Sequence, residues 1–280
     1  MTGLAVHIVE KRFNETLVLR DLEFSADSGE FIALVGPSGA GKSTLLNMIA
    51  GLDNDYRGAV RWDDVPLHAP GQSPRQSPQQ LPQPSPERLG MMFQEPRLMP
   101  WLSTLDNVRL VQPLLDERGT GERARKLLQD AGLGEALDAW PNQLSGGMQR
   151  RAALARAFMV SPRLLLMDEP FVSLDMPTAN RLRELLLSLY HRERPLVLFV
   201  THDLREALTL ADRVLFMSAQ PARVMLDYAV PLTRPRGLEG AEISRLQQAL
   251  FAEHPELLSG VLNDLGAAGD ARWGEAGNHH

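Results

Sequence analysis

At 280 residues, 44% of them hydrophobic, the chain is long enough to bury a real core as one large α/β domain or as two lobes. A net charge of −6 without any lysine/arginine block argues against broad nucleic-acid binding, and the absence of cysteine removes disulfides and thiolate chemistry. No apolar run approaches the ~20 residues that span a bilayer, and Met1 to Arg12 lacks the apolar core of a secretion signal, so a membrane role is expected only through a partner.

Leu4-Ala5-Val6-His7-Ile8-Val9 and Leu22-Glu23-Phe24 read as strands of a sheet ahead of the first glycine-rich turn. Phe13, the one aromatic residue between them, is a candidate to stack on a nucleotide base, although a lone ring serves equally well in a core. Phe31 to Val35 is a short apolar run with the look of a buried strand. It leads into Gly36-Pro37-Ser38-Gly39-Ala40-Gly41-Lys42-Ser43-Thr44, which fits the phosphate-loop pattern G-x-x-x-x-G-K-[ST]. Leu45, Leu46, Met48 and Ile49 then give helical spacing up to a stop at Gly51. Glycines let such a loop curl its N–H groups inward, and the helix start adds partial positive charge, so a polyphosphate is the natural ligand. Lys42 is expected to reach the β- and γ-phosphates and Ser43 to ligate Mg²⁺.

Ala59 to Trp62 followed by Asp63-Asp64 reads as strand and turn. From His68 to Glu87 prolines recur among Gln and Ser, the composition of an exposed insertion that builds neither helix nor sheet. Leu89 to Phe93 is apolar and ends at Gln94, a neutral amide able to touch metal-bound water. Asp106 to Gln129 has helical stretches broken by Pro113 and Gly119. Leu144-Ser145-Gly146-Gly147-Met148-Gln149 is a second glycine-rich turn opening a helix, Gly146 to Phe158. It lacks a lysine, yet its hydroxyl, N–H groups and helix dipole suit a terminal phosphate as well as a plain capped start.

Leu164 to Met167 reads as a buried strand ending in Asp168-Glu169-Pro170. A parallel sheet presents its ligand site at the carboxyl ends of its strands. Asp168 is therefore placed to hold Mg²⁺ and Glu169 to polarise an attacking water; alone, the two would read as solvated carboxylates capping a turn. Ala179 to Arg192 is expected as a helix, Leu196 to Val200 as a strand, Leu204 to Ala211 as a helix and Val214 to Met217 as a strand. His202 follows another strand end, from which it is expected to reach the γ-phosphate. The alternation of strands and helices implies a mainly parallel sheet covered on both faces. Beyond Gly237 one amphipathic helix, with Ile243, Leu246 and Leu250 on its apolar face, stops near Pro255. The end of the chain, with His279 and His280, reads as disordered.

In order and spacing, Gly36–Thr44, Gln94, Leu144–Gln149, Leu165–Glu169, Ser173-Leu174-Asp175 and His202 resemble the Walker A loop, Q-loop, signature, Walker B strand, D-loop and H-switch of ABC transporter ATP-binding subunits. The resemblance covers about Leu4 to Pro235. It implies an α/β phosphate-loop NTPase fold of the ABC type, with a mixed sheet core, an antiparallel β subdomain and a helical subdomain. It places the ATPase domain in residues 1–236, the helical subdomain at about 95–159, the insertion at about 68–87 and a helical extension with its tail in 237–280. It further implies that ATP and Mg²⁺ are the ligands. ATP held by Lys42 and Ser43 of one copy would meet Ser145, Gly146, Gly147 and Gln149 of a second copy in a head-to-tail dimer, with Asp175 also at that junction.

Phe93 to Leu102, Leu105-Asp106-Asn107-Val108, Glu169-Pro170-Phe171 and Pro231 to Arg236 look like the nitrate/sulfonate/taurine importer group. That likeness implies uptake of a small anion through membrane permease subunits, with a periplasmic or extracellular solute-binding protein as an indirect partner and no nucleic acid. The chain would sit peripherally on the cytoplasmic face of the inner or plasma membrane, where the Phe93–Leu102 region receives the permease. Val172-Ser173 departs from the small Gly-Ala pair expected there, and Phe13 stands where many relatives carry Tyr. A non-transport ATPase of DNA maintenance or translation is the alternative. Such chains usually add long coiled coils, zinc sites or a second cassette, and none of these is visible here.

Overall fold

The computed structural model describes residues 3–67, 88–111, 117–238, 240–255 and 257, with the backbone alone for 117–120. The Pro/Gln-rich stretch, Pro113 and the final residues with their histidine pair lie outside the described residues.

The chain begins with a hairpin, β1 (Gly3–Phe13) and β2 (Thr16–Asp27). Leu4, Val6 and Ile8 are buried while Ala5 and His7 face outward, the period-2 pattern of a half-buried strand. β3 (Phe31–Val35) is buried at every position, as its unbroken apolar run requires. It leads into α1 (Lys42–Ile49), beyond which Gly51 takes the left-handed conformation at φ 71°. β4 (Arg57–Trp62) turns through Asp63 and Asp64, at φ 51° and 64°, into the short β5 (Val65–Pro66). Two positive-φ residues in succession match the twist of a tight hairpin.

β6 (Leu89–Met92) is followed by three helices, α2 (Thr104–Arg109), α3 (Glu117–Asp130) and α4 (Gly146–Met159). Gly119, expected to break the helical stretch, lies inside α3. It falls in the first turn, where N–H groups lack intrahelical partners anyway, and the helix is held by Ala124, Leu127 and Leu128 in the core. β7 (Leu164–Asp168), α5 (Met176–Glu193), β8 (Leu196–Thr201), α6 (Leu204–Leu210), β9 (Arg213–Met217), β10 (Val224–Ala229) and α7 (Ala241–Glu253) complete the order. α5 starts ahead of Ala179 because Asp175 caps it and Pro177 is tolerated in a first turn. β10 is not expected from the sequence; its half-exposed alternation carries little apolar signal.

The strands form two sheets, a four-stranded one in the order β2-β1-β4-β5 and a six-stranded one in the order β10-β9-β3-β8-β7-β6. The first is antiparallel, and in the second only β10 runs against its neighbour. Alternate residues of the central strands feed two separate cores. Phe31, Ala33, Val35, Val197 and Phe199 join α2 to α7 on one face. Ile32, Leu34, Leu198 and Val200 join α1 and the antiparallel sheet on the other. Both faces of the parallel sheet are thus covered, one by helices and the other largely by a second sheet. That leaves its carboxyl edge as the place for chemistry.

Candidate functional site

Four neighbouring parallel strands, β3, β8, β7 and β6, end side by side. Residues 36–44 follow β3, Thr201-His202 closes β8, Asp168-Glu169 closes β7, and the exposed Gln94 lies just past β6. The register aligns Val35 with Thr201 and Asp168 with Val200, so these groups meet at one level.

The phosphate loop is shaped by glycines with particular neighbours. Gly41 caps α1 at φ 90°, and a Cβ there would lie 2.8 Å from Val18 Cγ1 and 2.9 Å from Leu19 Cδ2 of β2. Gly39 also has positive φ, 77°, but faces open space. The buried Lys42 turns its Nζ back into the loop, donating to the carbonyls of Gly36 at 2.7 Å and Pro37 at 2.9 Å. Ser43 Oγ donates to Asp168 Oδ1 at 2.9 Å. A hydroxyl and a carboxylate this close form the hard oxygen donor set that Mg²⁺ takes. Burial pushes the Asp168 carboxyl above its usual range against the Ser43 hydrogen bond, a cost that a bound cation would offset.

Glu169 Oε1 stands 3.6 Å from His202 Nδ1, within ion-pair range of a protonated imidazole but longer than a close hydrogen bond. The imidazole holds Glu169 below the usual carboxylate range, and the carboxylate holds His202 above its usual value. Glu169 also sits at φ 45°, its N–H tied to the Val200 carbonyl at 3.0 Å. A non-glycine residue in this conformation is uncommon and occurs where the surroundings over-determine it.

Other expected residues are placed apart from this edge or occupied locally. Ser145 caps α4, accepting from the Met148 N–H at 3.3 Å, and remains exposed with Gly146. Gly147 is required by packing, since a Cβ would meet Thr178 Cγ2 of α5 at 2.3 Å. The Gln149 amide is committed to the Pro141 carbonyl at 2.9 Å and the Leu144 carbonyl at 3.3 Å, so it shapes the turn rather than reaching outward. Asp175 caps α5, with Thr178 hydrogen bonds holding its carboxyl below the usual range. Phe13 is 49% exposed, with the Lys11 ammonium 4.5 Å from its ring centre. Its hairpin partner strand carries the Val18 and Leu19 that abut Gly41.

Several supports are given their task only by the fold. The buried Arg150 donates to the Pro170 carbonyl at 3.0 Å, tying α4 to the turn after Glu169. Arg156 spans the carbonyls of Pro96 and Arg97, both at 2.8 Å, and so fixes the segment after Gln94. Asn107, fully buried, accepts from the Met99 N–H at 2.7 Å and donates to the carbonyls of Met99, Leu102 and Ser103. Its one available signal is a polar residue set among apolar ones on a helix face.

A family profile described as "ABC transporter" matches residues 19–172. The aliphatic sulfonates import ATP-binding protein of Burkholderia cenocepacia (strain HI2424) is 42% identical over 233 residues, 83% of this chain and 80% of that protein. The protein of the same description from Pseudomonas aeruginosa (strain UCBPP-PA14) is 40% identical over 245 residues, 88% of this chain and 94% of its own length. Among solved structures, a dimeric ATP-binding cassette in a post-hydrolysis state with ADP and Pi has 29% identity and a TM-score of 0.69, covering 83% of this chain and 100% of that one. A dimeric bacterial ABC transporter cassette has 29% identity and a TM-score of 0.71, over 82% of this chain and 100% of its own.

Proposed function

The chain belongs to the ABC transporter family, and from that premise we propose that it is the ATP-binding and ATP-hydrolysing subunit of an importer for a small organic anion of the aliphatic sulfonate class. One observation carries the chemistry: adjacent strand ends bring the Ser43–Asp168 pair and the Glu169–His202 pair to the mouth of the phosphate loop. Their carriage at the ends of three neighbouring strands of one parallel sheet, β3, β8 and β7, is what a nucleotide site at the carboxyl edge requires.

In this reading Lys42 and the N–H groups of 36–44 bind the β- and γ-phosphates of ATP, and Phe13 stacks on the base. Ser43 and Asp168 would hold Mg²⁺, with Gln94 reaching its water shell. When bound, the ion supplies neutralisation of charge on the transferring phosphoryl group. Glu169, kept ionised by His202, takes a proton from the attacking water. His202, with its raised proton affinity, donates to the γ-phosphate oxygen. Ser145 and Gly147 of a second copy close over the γ-phosphate, with Asp175 beside that junction. The exposed start of α4, whose dipole favours an anion, supports this pairing.

Trp101 is 66% exposed on the loop that Asn107 braces, which supports this face as the contact for the permease. Among the described residues no helix is long and apolar enough to cross a membrane. In this scheme the subunit sits peripherally on the cytoplasmic side, with a solute-binding protein delivering the anion from the other. Residues 1–236 form the ATPase domain in this scheme, with 95–159 as its helical subdomain and 237–280 as an extension. Relatives described as import ATP-binding proteins favour transport over DNA maintenance or translation.

Vesicles carrying the cognate permease and binding protein test the proposal. Uptake of a labelled alkanesulfonate should require ATP and this subunit, and should stop with Lys42→Ala. ATP-independent uptake, or uptake of nitrate with no response to sulfonate, would refute the engine or the solute class respectively.

A further inference from the structure

Asp203 caps α6 and Glu206 stands three residues on, the spacing at which a glutamate ordinarily reaches back to the cap residue's own N–H. Here the capping pattern is put to a different use. The Asp203 N–H donates to Thr201 Oγ1 at 3.1 Å, and the Thr201 hydroxyl donates to Glu206 Oε2 at 2.9 Å. The other Glu206 oxygen accepts from the Arg183 guanidinium of α5. Both side chains of this ion pair are only 9% exposed. Thr201 is 3% exposed.

Burying such a pair adds little net stability, since desolvation cancels most of the attraction. A buried hydrogen-bonded network does restrict position, and here every member but the Arg183 Nε is engaged. Arg183 is itself held, donating to Asn180 Oδ1 at 2.8 Å with its guanidinium 4.9 Å from the Phe171 ring centre, just beyond Glu169-Pro170. His202 lies between Thr201 and Asp203, both of which belong to the network. Its contact with Glu169 at 3.6 Å involves an exposed side chain.

We propose that Thr201, Glu206 and Arg183 are positioning residues that set His202 against Glu169 and the terminal phosphate, with α5 as the fixed reference. The inference rests on the catalytic reading of His202 given above. None of the three touches the reacting atoms. The same α5 carries Asp175 at its cap and Thr178 against Gly147, so the strut ties the His202 loop to the helix that packs on the signature turn.

Thr201→Val tests this most cleanly, because it keeps the β-branched shape in β8, leaves the Arg183–Glu206 pair intact and removes only the hydroxyl. Steady-state ATP hydrolysis by the full chain should show kcat falling about 10- to 100-fold. KM for MgATP and the affinity for a fluorescent ADP analogue should stay within about twofold, the signature of a contact that matters in the transition state. Thr201→Ser should restore most of kcat. Should Thr201→Val fail to fold, Glu206→Gln carries the same expectation, a kcat loss without a KM change. Wild-type kcat in a folded Thr201→Val, beside an inactive His202→Ala, overturns the positioning role and leaves the site reading standing. Failure of Thr201→Ser to rescue, or an equal loss of nucleotide affinity, overturns it as well. Wild-type turnover by His202→Ala would remove the site reading and the strut together.

Discussion

Gly41→Ala probes whether the antiparallel hairpin shapes the phosphate loop. At φ 90° an alanine pays a left-handed backbone penalty of about 1–2 kcal/mol. Its Cβ would also press on Val18 and Leu19 at 2.8 and 2.9 Å, and both side chains are buried and cannot swing away. Overpacking of that kind costs about 1–3 kcal/mol, so the total is about 2–5 kcal/mol. Gly39→Ala is the control: its φ of 77° is similarly unfavourable, but nothing lies near its Cβ, so only the backbone penalty of about 1–2 kcal/mol applies. Urea denaturation of the nucleotide-free chain measures both. Val18→Ala should rescue part of the Gly41→Ala loss and none of the Gly39→Ala loss, because only the first pair is in contact. Equal losses for the two glycine variants, with no rescue, would refute the idea that the hairpin dictates the loop.

Glu169→Gln should keep ATP binding, lower kcat by about 10²–10⁴-fold and accumulate a dimer visible by light scattering; unchanged hydrolysis excludes Glu169 as the base. Lys42→Ala deletes the ammonium that the loop carbonyls hold at 2.7 and 2.9 Å. Nucleotide affinity should fall about 10- to 100-fold by equilibrium titration, the worth of a hydrogen bond to a charged group. The Glu169–His202 contact also has a pH signature. Because His202 is raised above its usual value of about 6.5, its share of stability is complete below that pH and is lost as pH rises through the raised value. Glu169→Gln should therefore destabilise the fold more at pH 6 than at pH 9, and the His202 imidazole resonance in NMR should titrate at lower pH than in the parent. A His202 titration unmoved by the substitution would show that the two groups do not interact.

Much of the arrangement is legible in the sequence because it rests on short-range chemistry. The run Phe31–Val35 must be buried, the glycines of 36–44 let the loop curl, and a carboxylate pair following Leu164–Met167 must emerge at a strand end. Such features depend on a few consecutive residues, and they locate Lys42, Ser43, Asp168, Glu169 and His202. β10 and the reach of α3 through Gly119 are illegible there, since a half-exposed strand and the first turn of a helix are decided by what packs on the element. Gln149 shows the same limit inside the site: its residue type suits a ligand contact, while its amide serves the Pro141 and Leu144 carbonyls.

Sequence alone determined which chemistry the chain carries, because phosphate binding, metal ligation and proton transfer need particular side chains at strand and helix ends. Tertiary structure decided which of them share a site and what holds them still. Strand order β3-β8-β7-β6 set Asp168 beside Ser43 and His202 beside Glu169. Thr201, Glu206 and Arg183, unremarkable in the sequence, acquired a common task only when the fold brought Arg183 of α5 within reach of Glu206 of α6. The reason is physical: a side chain's reactivity belongs to its own atoms, but its partners, burial and proton affinity belong to whatever residues the fold brings within a few ångströms.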